Sequence, residues 1–409
     1  MNILVYDDVF TKSGAVTDLI EEQYPEHTYD VVVSLKDAQE AVVKRKYQMI
    51  IADLETPVSR RQGEVDKNSG IIFLQYIFQS EGENFFRPDE IVVLTKYADD
   101  KELINNIKKF PVSIIMYQER GEEWKIDLSN RIYDCNKKYE NKVDIAIMTA
   151  VEVEFEAFYN MEGEWKEKSI ENESNIYYIS CYENKTRGKV KVLLTMLPDM
   201  GMVSAADATH RIINLFHPDC IIMSGICGGN KKDVSAGDIV VAEKAWDYGS
   251  GSMEETIDQN GKRLINFIPA PEQISVDKMI TKEFRQYALD DNLKINIRQK
   301  CKMPRFDRDI KIKIGGMATG AAVIKNEEFV QKYIKPTHRK YLGIDMETYG
   351  LYYAAEHFVN SKMKFVSIKS VSDGADAEKS DEFQEYCAKL SANLTNYFIE
   401  NVPYDILTK

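Results

Sequence analysis

The chain has 409 residues, of which 44% are hydrophobic and 29% charged, and its formal net charge is −13. This length suits two domains, and the acidic balance argues against nucleic acid as a partner, because phosphate groups need a basic surface. No stretch approaches the roughly 18 apolar residues of a membrane span, and the N-terminal residues do not resemble a signal peptide. Six widely separated cysteines favour reduced thiols over disulfides or a zinc site. We therefore expect a cytoplasmic protein that binds neither nucleic acid nor membranes.

Five short runs rich in valine and isoleucine predict buried strands in the first third of the chain. They lie at residues 3–6, 31–33, 49–52, 91–94 and 112–116. Segments with helical periodicity separate them, and this alternation predicts a parallel sheet covered by helices on both faces. A closing helix is expected over residues 128–139.

Acidic and hydroxyl side chains stand where three of these strands end. Asp7 and Asp8 follow the first strand, Asp53 follows the third, and Thr95 follows the fourth. Open parallel sheets bind ligands beyond the carboxyl ends of their strands, and three carboxylates there would hold a hard divalent cation. Asp53 could then accept a phosphoryl group beside Thr95. For each position taken alone, a role in a turn or a helix cap is the alternative.

In this order, the four residues resemble the receiver domain of bacterial two-component signalling, over residues 1–125. The resemblance implies a flavodoxin-like, five-stranded parallel sheet and Mg²⁺ held by Asp7, Asp8 and Asp53. It also implies phosphorylation of Asp53 by a cognate sensor histidine kinase, with Thr95 as the switch hydroxyl.

Two features depart from the receiver pattern. Residues 58–69 form an apparent insertion before Gly70, and Tyr117-Gln118 stands where the family has Lys-Pro. Because the family's lysine pairs with the phosphoryl group, its absence leaves open a docking role that does not depend on phosphorylation.

The strand pattern restarts after a polar stretch at 136–142 and predicts a second α/β domain. Strands are expected at 143–148, 190–196, 220–223, 238–242, 310–314, 341–344 and 365–368, and helices at 203–216, 347–358 and 383–399. The pattern is weak between residues 246 and 303, where we expect an insertion. The predicted organisation is a receiver domain at 1–125, a helical linker at 126–142 and a second domain at 143–409.

Four segments of the second domain carry the candidate chemistry. Residues 222–229 predict a strand that ends in a glycine-rich turn, and residues 236–242 predict a tight turn into a strand. Residues 343–347 and 370–376 each place carboxylates at the end of a strand. In this order the segments resemble the nucleoside phosphorylase/nucleosidase superfamily over residues 143–402, and most closely its methylthioadenosine/S-adenosylhomocysteine nucleosidases. The resemblance implies an α/β/α fold with a mixed sheet.

The same resemblance implies a substrate site that needs no cofactor. Breaking an N-glycosidic bond leaves an oxocarbenium-like ribose, and the purine leaves easily only when its N7 is protonated. Asp373 matches the general acid that supports this protonation. The substrate-binding positions are Glu347 at the ribose hydroxyls, Met346 against the sugar, Val323 beside the base, and Gly228 and Ser372.

The loop after the first strand of this domain bears on the reaction class. Residues 149–154 contain no arginine that could bind phosphate, and Glu154 matches the glutamate that activates water in nucleosidases. Glu152 and Glu154 would also repel phosphate, so the sequence favours hydrolysis. An acidic first helical turn is the structural alternative. A purine nucleoside phosphorylase and a non-catalytic nucleoside sensor stay open as other functions.

The resemblance implies that the substrate is a purine nucleoside or nucleotide. A nucleotide would need cations, for which Lys231, Lys232, Arg305 and Arg308 are candidates; solvated surface charge is the alternative for each. A receiver fused to a nucleosidase resembles the effectors of phage-defence two-component systems of the Detocs type. That resemblance implies gated cleavage of ATP to adenine and ribose triphosphate, with methylthioadenosine as the alternative substrate. The superfamily also implies a homo-oligomer.

Overall fold

The computed structural model describes residues 1–59, 62–66, 68–79, 87–97, 99–161, 163–257, 263–301, 303, 306, 308–322, 324, 327–338, 340–358, 363–373 and 381–408. The chain divides into two compact units, Met1–Asn141 and Lys142–Lys409. Among the described residues, no helix combines the length and the apolar character needed to cross a membrane.

The first unit is an α/β unit built on a parallel sheet. Its strands are β1 (Asn2–Tyr6), β2 (Thr28–Val32), β3 (Met49–Ala52), β4 (Thr56–Ser59), β5 (Gln62–Asp66), β6 (Glu90–Thr95) and β7 (Ser113–Met116), and its helices are α1 (Phe10–Gln23), α2 (Leu35–Lys44), α3 (Ser69–Gln79), α4 (Lys101–Ile107) and α5 (Glu123–Lys138). Five strands pair in parallel in the order β2-β1-β3-β6-β7. The five predicted strands are confirmed, and their order fits a flavodoxin-like sheet.

Both faces of this sheet are buried, as the apolar runs predict. Successive residues of a strand point to opposite faces. Leu4 and Tyr6 accordingly belong to a core cluster with residues of α2 and α3, whereas Ile3 and Val5 belong to a second cluster with residues of α1 and α5.

The expected insertion before Gly70 contains an antiparallel hairpin of β4 and β5. After it, the Gly70 amide donates to the Leu54 carbonyl oxygen at 2.9 Å. A Cβ at position 70 would lie 2.5 Å from the Asp53 carbonyl oxygen, so glycine allows α3 to begin directly against the end of β3.

The predicted closing helix is present, and most of the predicted helical linker at 126–142 lies in it. Helix α5 runs over Glu123–Lys138, and its Leu128 and Ile132 are fully buried in the core of the first unit. The division between the compact units follows Asn141.

The second unit is larger and contains a mixed sheet. Its strands are β8 (Ile145–Thr149), β9 (Lys166–Lys168), β10 (Tyr177–Asn184), β11 (Gly188–Met196), β12 (Cys220–Gly229), β13 (Ile239–Asp247), β14 (Gly251–Ile257), β15 (Arg263–Pro269), β16 (Ile274–Ser275), β17 (Ile312–Thr319), β18 (Tyr341–Asp345) and β19 (Lys364–Asp373). Its helices are α6 (Glu152–Tyr159), α7 (Met202–Phe216), α8 (Lys278–Leu289), α9 (Asp291–Cys301), α10 (Glu327–Phe329, followed by a π-helical turn over Val330–Ile334), α11 (Thr348–Glu356), α12 (Asp381–Asn401) and α13 (Asp405–Thr408).

In the described part of this unit, nine strands follow one another as β16-β13-β17-β18-β12-β8-β11-β10-β9, and β19 pairs with both β12 and β13. The predicted mixed sheet is confirmed. One expectation needs correction. The glycine-rich segment is not a turn, because β12 continues as a strand to Gly229. The weakly patterned region 246–303 contains the β14–β15 hairpin and helices α8 and α9.

Candidate active site

The register of three strands brings the candidate segments of the second unit together. Gly228 of β12 lies opposite Ile344 of β18 on one side and opposite Asp373 of β19 on the other. Two of the carboxylate-bearing strand ends predicted from the sequence therefore flank the glycine segment. The side chain of Asp373 lies outside the described part of the chain.

Glu154 is held in this region by backbone amides from two elements. It stands in the first turn of α6, and only 2% of the residue is exposed. Its Oε2 atom accepts hydrogen bonds from the amides of Ala150 and Val151, at 2.7 and 3.3 Å. Its Oε1 atom accepts from the Ile226 amide of β12 at 2.7 Å. These donors fix the carboxylate between the start of α6 and the glycine segment.

Gly225 makes this approach possible. A Cβ at position 225 would lie 2.0 Å from Glu154 Oε1, much closer than any real contact. The absence of a side chain at position 225 therefore leaves room for the Glu154 carboxylate, in addition to any room that it leaves for a ligand.

Glu347 lies in the same region and comes from the start of helix α11. It precedes α11, is 5% exposed, and its Oε1 atom accepts from the Gly201 amide at 3.1 Å. Gly201 precedes α7 with a φ of +114°, a conformation that side chains other than glycine rarely adopt. Glycine adopts this conformation without strain and donates its amide to the glutamate.

Lys369 lies between the two glutamates, and our sequence reasoning missed it. Its Nζ atom is 3.7 Å from Glu154 Oε1 and 3.6 Å from Glu347 Oε2, and its side chain is fully buried in β19. Within the described residues, Nζ has no hydrogen-bond partner. A signal was available, because a lysine that continues the apolar run 365–368 must find a charged partner if the strand is buried.

The charge of Lys369 is stabilised by its neighbours. Burial by itself lowers the pKa of the ammonium, but the carboxylates of Glu154, Glu347 and Asp345 outweigh this effect and leave the pKa above its ordinary value. The cluster is therefore a buried cation between two carboxylates, and the N–H groups of the Lys369 ammonium are left to donate to a ligand or to water.

Asp345 has a structural role beside this cluster. Its Oδ1 atom accepts from the Thr319 hydroxyl at 2.8 Å, and its Oδ2 atom accepts from the Thr348 amide at 3.1 Å and from the Thr348 hydroxyl. Burial raises the pKa of Asp345 to about 6, although Lys369 opposes the shift. This network fixes the end of β18 next to the start of α11.

The structure describes two of the three other predicted substrate positions. Met346 is half-buried between Asp345 and Glu347, and Ser372 is half-buried near the end of β19. Val323 lies outside the described residues, a short distance in sequence after β17 ends at Thr319.

The four candidate cations are not assembled into one site by the described residues. The Arg308 guanidinium donates to Asp238, whose side chain is almost fully buried, at the start of β13. Lys231 and Lys232 are exposed after β12, and Arg305 lies outside the described residues.

The first unit has an acidic pocket at the carboxyl ends of its strands. Oxygen atoms of Asp7, Asp8 and Asp53 all lie within 4.8 Å of one another. Thr95 is fully buried at the end of β6, and its hydroxyl accepts from the Tyr97 amide at 3.1 Å. The predicted convergence of the three carboxylates is therefore present.

A lysine that the sequence did not single out enters this pocket. The Lys12 ammonium in α1 is 2.9 Å from Asp7 Oδ2, 3.0 Å from Asp53 Oδ2 and 2.7 Å from the Leu94 carbonyl oxygen. Its side chain is 1% exposed. Burial raises the pKa of Asp7 to about 6, against the opposing effect of the Lys12 ammonium.

Comparisons with known proteins support an enzyme of the nucleosidase type. Residues 144–402 match the sequence model of the Phosphorylase superfamily. The chain is 28% identical over 241 residues to the 5′-methylthioadenosine/S-adenosylhomocysteine nucleosidase of Buchnera aphidicola. This alignment covers 59% of this chain and 88% of that enzyme. It is 22% identical over 269 residues to the ATP nucleosidase Cap17 of Escherichia coli, which covers 63% of this chain. The alignment spans only 51% of Cap17.

A further relative matches both units. Protein y4jS of Sinorhizobium fredii is 25% identical over 423 residues, an alignment that covers 98% of this chain and 99% of that protein. The combination of the two units is therefore not confined to this sequence.

Proposed function

We propose that this chain, which belongs to the phosphorylase superfamily through residues 144–402, hydrolyses the N-glycosidic bond of ATP to give adenine and ribose triphosphate. The observation that carries the proposal is the buried cluster of Glu154, Lys369 and Glu347 beside the ends of β12, β18 and β19.

Glu154 acts as the general base toward water. Three backbone amides orient its carboxylate, and the Lys369 ammonium, 3.7 Å from its Oε1 atom, has no hydrogen-bond partner among the described residues. A water molecule that accepts from Lys369 and donates to Glu154 is positioned to attack the anomeric carbon as its proton passes to the carboxylate. Without an arginine in residues 149–154, inorganic phosphate has no matching cation in this loop.

The two glutamates also favour the transition state. As the bond to the purine breaks, positive charge develops on the ribose ring, and fixed carboxylates in a dry site stabilise that charge. Glu347 accepts hydrogen bonds from the ribose hydroxyls. Asp373, whose backbone lies beside Gly228, supports protonation of the purine at N7.

The choice of ATP as substrate is supported by the similarity to a protein named as an ATP nucleosidase. A methylthioadenosine-type substrate is the second candidate, favoured by one observation. Arg308, a predicted triphosphate ligand, is paired with the buried Asp238. In the ATP proposal, the exposed Lys231 and Lys232 and the predicted Arg305 contact the phosphates.

Free adenine should be measured by chromatography after incubation of the full chain with ATP, methylthioadenosine or adenosine in phosphate-free buffer, with and without beryllofluoride as a mimic of a phosphoryl group. Our proposal predicts release from ATP. Release from methylthioadenosine with ATP left intact would reject ATP as the substrate and support the second candidate. Release from none of them without phosphate, but from one of them with phosphate, would identify a phosphorylase.

The first unit gates this activity in our proposal. Its sheet order and its three converging carboxylates support a receiver role, with Asp53 as the phosphate acceptor and Thr95 as the switch hydroxyl. The carboxylate oxygens of Asp7, Asp8 and Asp53 are a suitable donor set for Mg²⁺, which would neutralise charge during phosphoryl transfer. A sensor histidine kinase would supply the phosphoryl group. Depletion of ATP by a gated enzyme would suit a cytoplasmic, homo-oligomeric effector of phage defence.

A further inference from the structure

The acidic pocket of the first unit already contains a cation of its own. An ammonium group has three N–H donors. Those of Lys12 are matched by Asp7 Oδ2, Asp53 Oδ2 and the Leu94 carbonyl oxygen, all within 3.0 Å. The side chain is almost completely buried, so this arrangement is part of the packed unit and not a surface ion pair.

The ammonium uses the atoms that a bridging metal ion would use. The other oxygen of each carboxylate accepts from the backbone: Asp7 Oδ1 from the Val9 amide at 2.9 Å, and Asp53 Oδ1 from the Leu54 amide at 2.8 Å. The two Oδ2 atoms are therefore the ones left to bind a cation, and the Lys12 ammonium contacts both of them. A divalent ion bound there with the ammonium in place would meet strong charge repulsion at short range.

We propose that Lys12 occupies the bridging cation position between Asp7 and Asp53, and that a divalent cation binds this pocket only by displacing it. The resting pocket is thus compensated by the chain's own ammonium, and the affinity for Mg²⁺ is set by the free energy needed to expel Lys12. This inference rests on the proposed use of the pocket as a divalent-cation site.

In the described part of the chain, Asp8 leaves one carboxylate oxygen of this pocket without a partner. Its Oδ1 atom is buried and accepts no hydrogen bond within the described residues. The described ion pairs of Lys12 are with Asp7 and Asp53, and not with Asp8. A divalent cation that takes this oxygen as a ligand can also take the two Oδ2 atoms as Lys12 leaves. Gating of the first unit would accordingly include movement of a side chain in the first turn of α1.

Binding of Mn²⁺ to the full chain tests this inference without reference to enzyme activity. Free Mn²⁺ is followed by electron paramagnetic resonance during titration of the wild-type chain and of the Lys12→Gln variant. The Lys12→Gln variant should bind Mn²⁺ more tightly than the wild-type chain by about tenfold or more, because no charged side chain must be displaced from the pocket. Lys96→Gln, which removes an exposed charge just after β6, should bind like the wild type.

Each other result contradicts the inference. Equal or weaker binding by Lys12→Gln rejects Lys12 as a competitor but leaves the metal site in place. Absence of binding by both chains rejects the metal site as well, whereas the adenine assay judges the nucleosidase proposal separately.

A second measurement uses the wild-type chain alone. Amine acylation mapped by mass spectrometry should leave Lys12 unmodified without metal and modify it at saturating Mn²⁺. Lys96 should be modified in both states. Protection of Lys12 at Mn²⁺ concentrations that fill the pocket would overturn the proposed displacement.

Discussion

The contact between Gly225 and Glu154 makes a prediction at the scale of one methyl group. In Gly225→Ala, the new Cβ would meet the carboxylate, so Glu154 must leave its place beside the Ile226 amide. Because displacements of about 1 Å can cost about 100-fold in rate, we expect a loss of this size in adenine release.

Gly163→Ala is the matched control, since the nearest atom to its Cβ would be 3.7 Å away. It should keep the wild-type rate, with both variants folded by circular dichroism. Wild-type activity in Gly225→Ala would contradict the placement of Glu154.

Lys369 predicts energetic coupling to the glutamates. Lys369→Met leaves Glu154 and Glu347 facing each other without their buried cation. Removal of one partner from a buried ion pair costs about 3 to 5 kcal/mol. We expect a loss of that order in the free energy of unfolding of the second unit, measured by urea denaturation.

The loss should be smaller when Glu347 is already Gln, because less uncompensated charge then remains. Such a double-mutant cycle separates charge coupling from packing. An equal loss in the Glu347→Gln background would contradict the coupling of Lys369 to Glu347.

At the scale of elements, the strands were predictable where burial covers both faces, because the apolar runs are short and continuous. The course of β12 was not. Gly225 and Gly229 suggested a turn, but each is small because another side chain fills the space, Glu154 at one and Val371 and Val234 at the other. Such long-range packing leaves no trace in local sequence.

The candidate site shows the same division. Glu154 and Glu347 were found from segments at strand and helix ends, and the structure brings them to one cluster. Lys369 and Lys12 were missed, since each has charged partners that lie far away in sequence and that only the fold brings close. For Lys12, position 12 lies in an ordinary helical stretch, and only the fold brings it to Asp53.

Helix α5 offers a test of the unit boundary. Leu128 is fully buried in the first unit, whereas Ile126 of the same helix is 61% exposed. Leu128→Ala should destabilise the first unit by about 2 to 5 kcal/mol, through lost burial and a cavity. Ile126→Ala should change its stability by about 0.5 kcal/mol or less.

Chemical denaturation followed by the fluorescence of Trp124, which lies in the same core cluster, would report this difference. Equal effects of the two substitutions would mean that α5 does not pack as part of the first unit.

At the scale of the whole molecule, the proposal links two units whose combination recurs over nearly the full length of a relative. Beryllofluoride, a mimic of a phosphoryl group on aspartate, should change the rate of adenine release by the wild-type chain. In Asp53→Ala, which lacks the accepting carboxylate, the rate should be the same with and without the mimic. A response that persists in this variant would place the switch elsewhere.

Hydrolysis with Glu154 as the general base can be tested by one comparison of two chains. Adenine release from ATP is measured in phosphate-free buffer for the wild-type chain and for Glu154→Gln, both with beryllofluoride. We expect release by the wild type and a rate lower by about 100-fold to 10,000-fold in the variant, the range typical of the loss of a general base. Release that requires phosphate, or a variant as fast as the wild type, would contradict it.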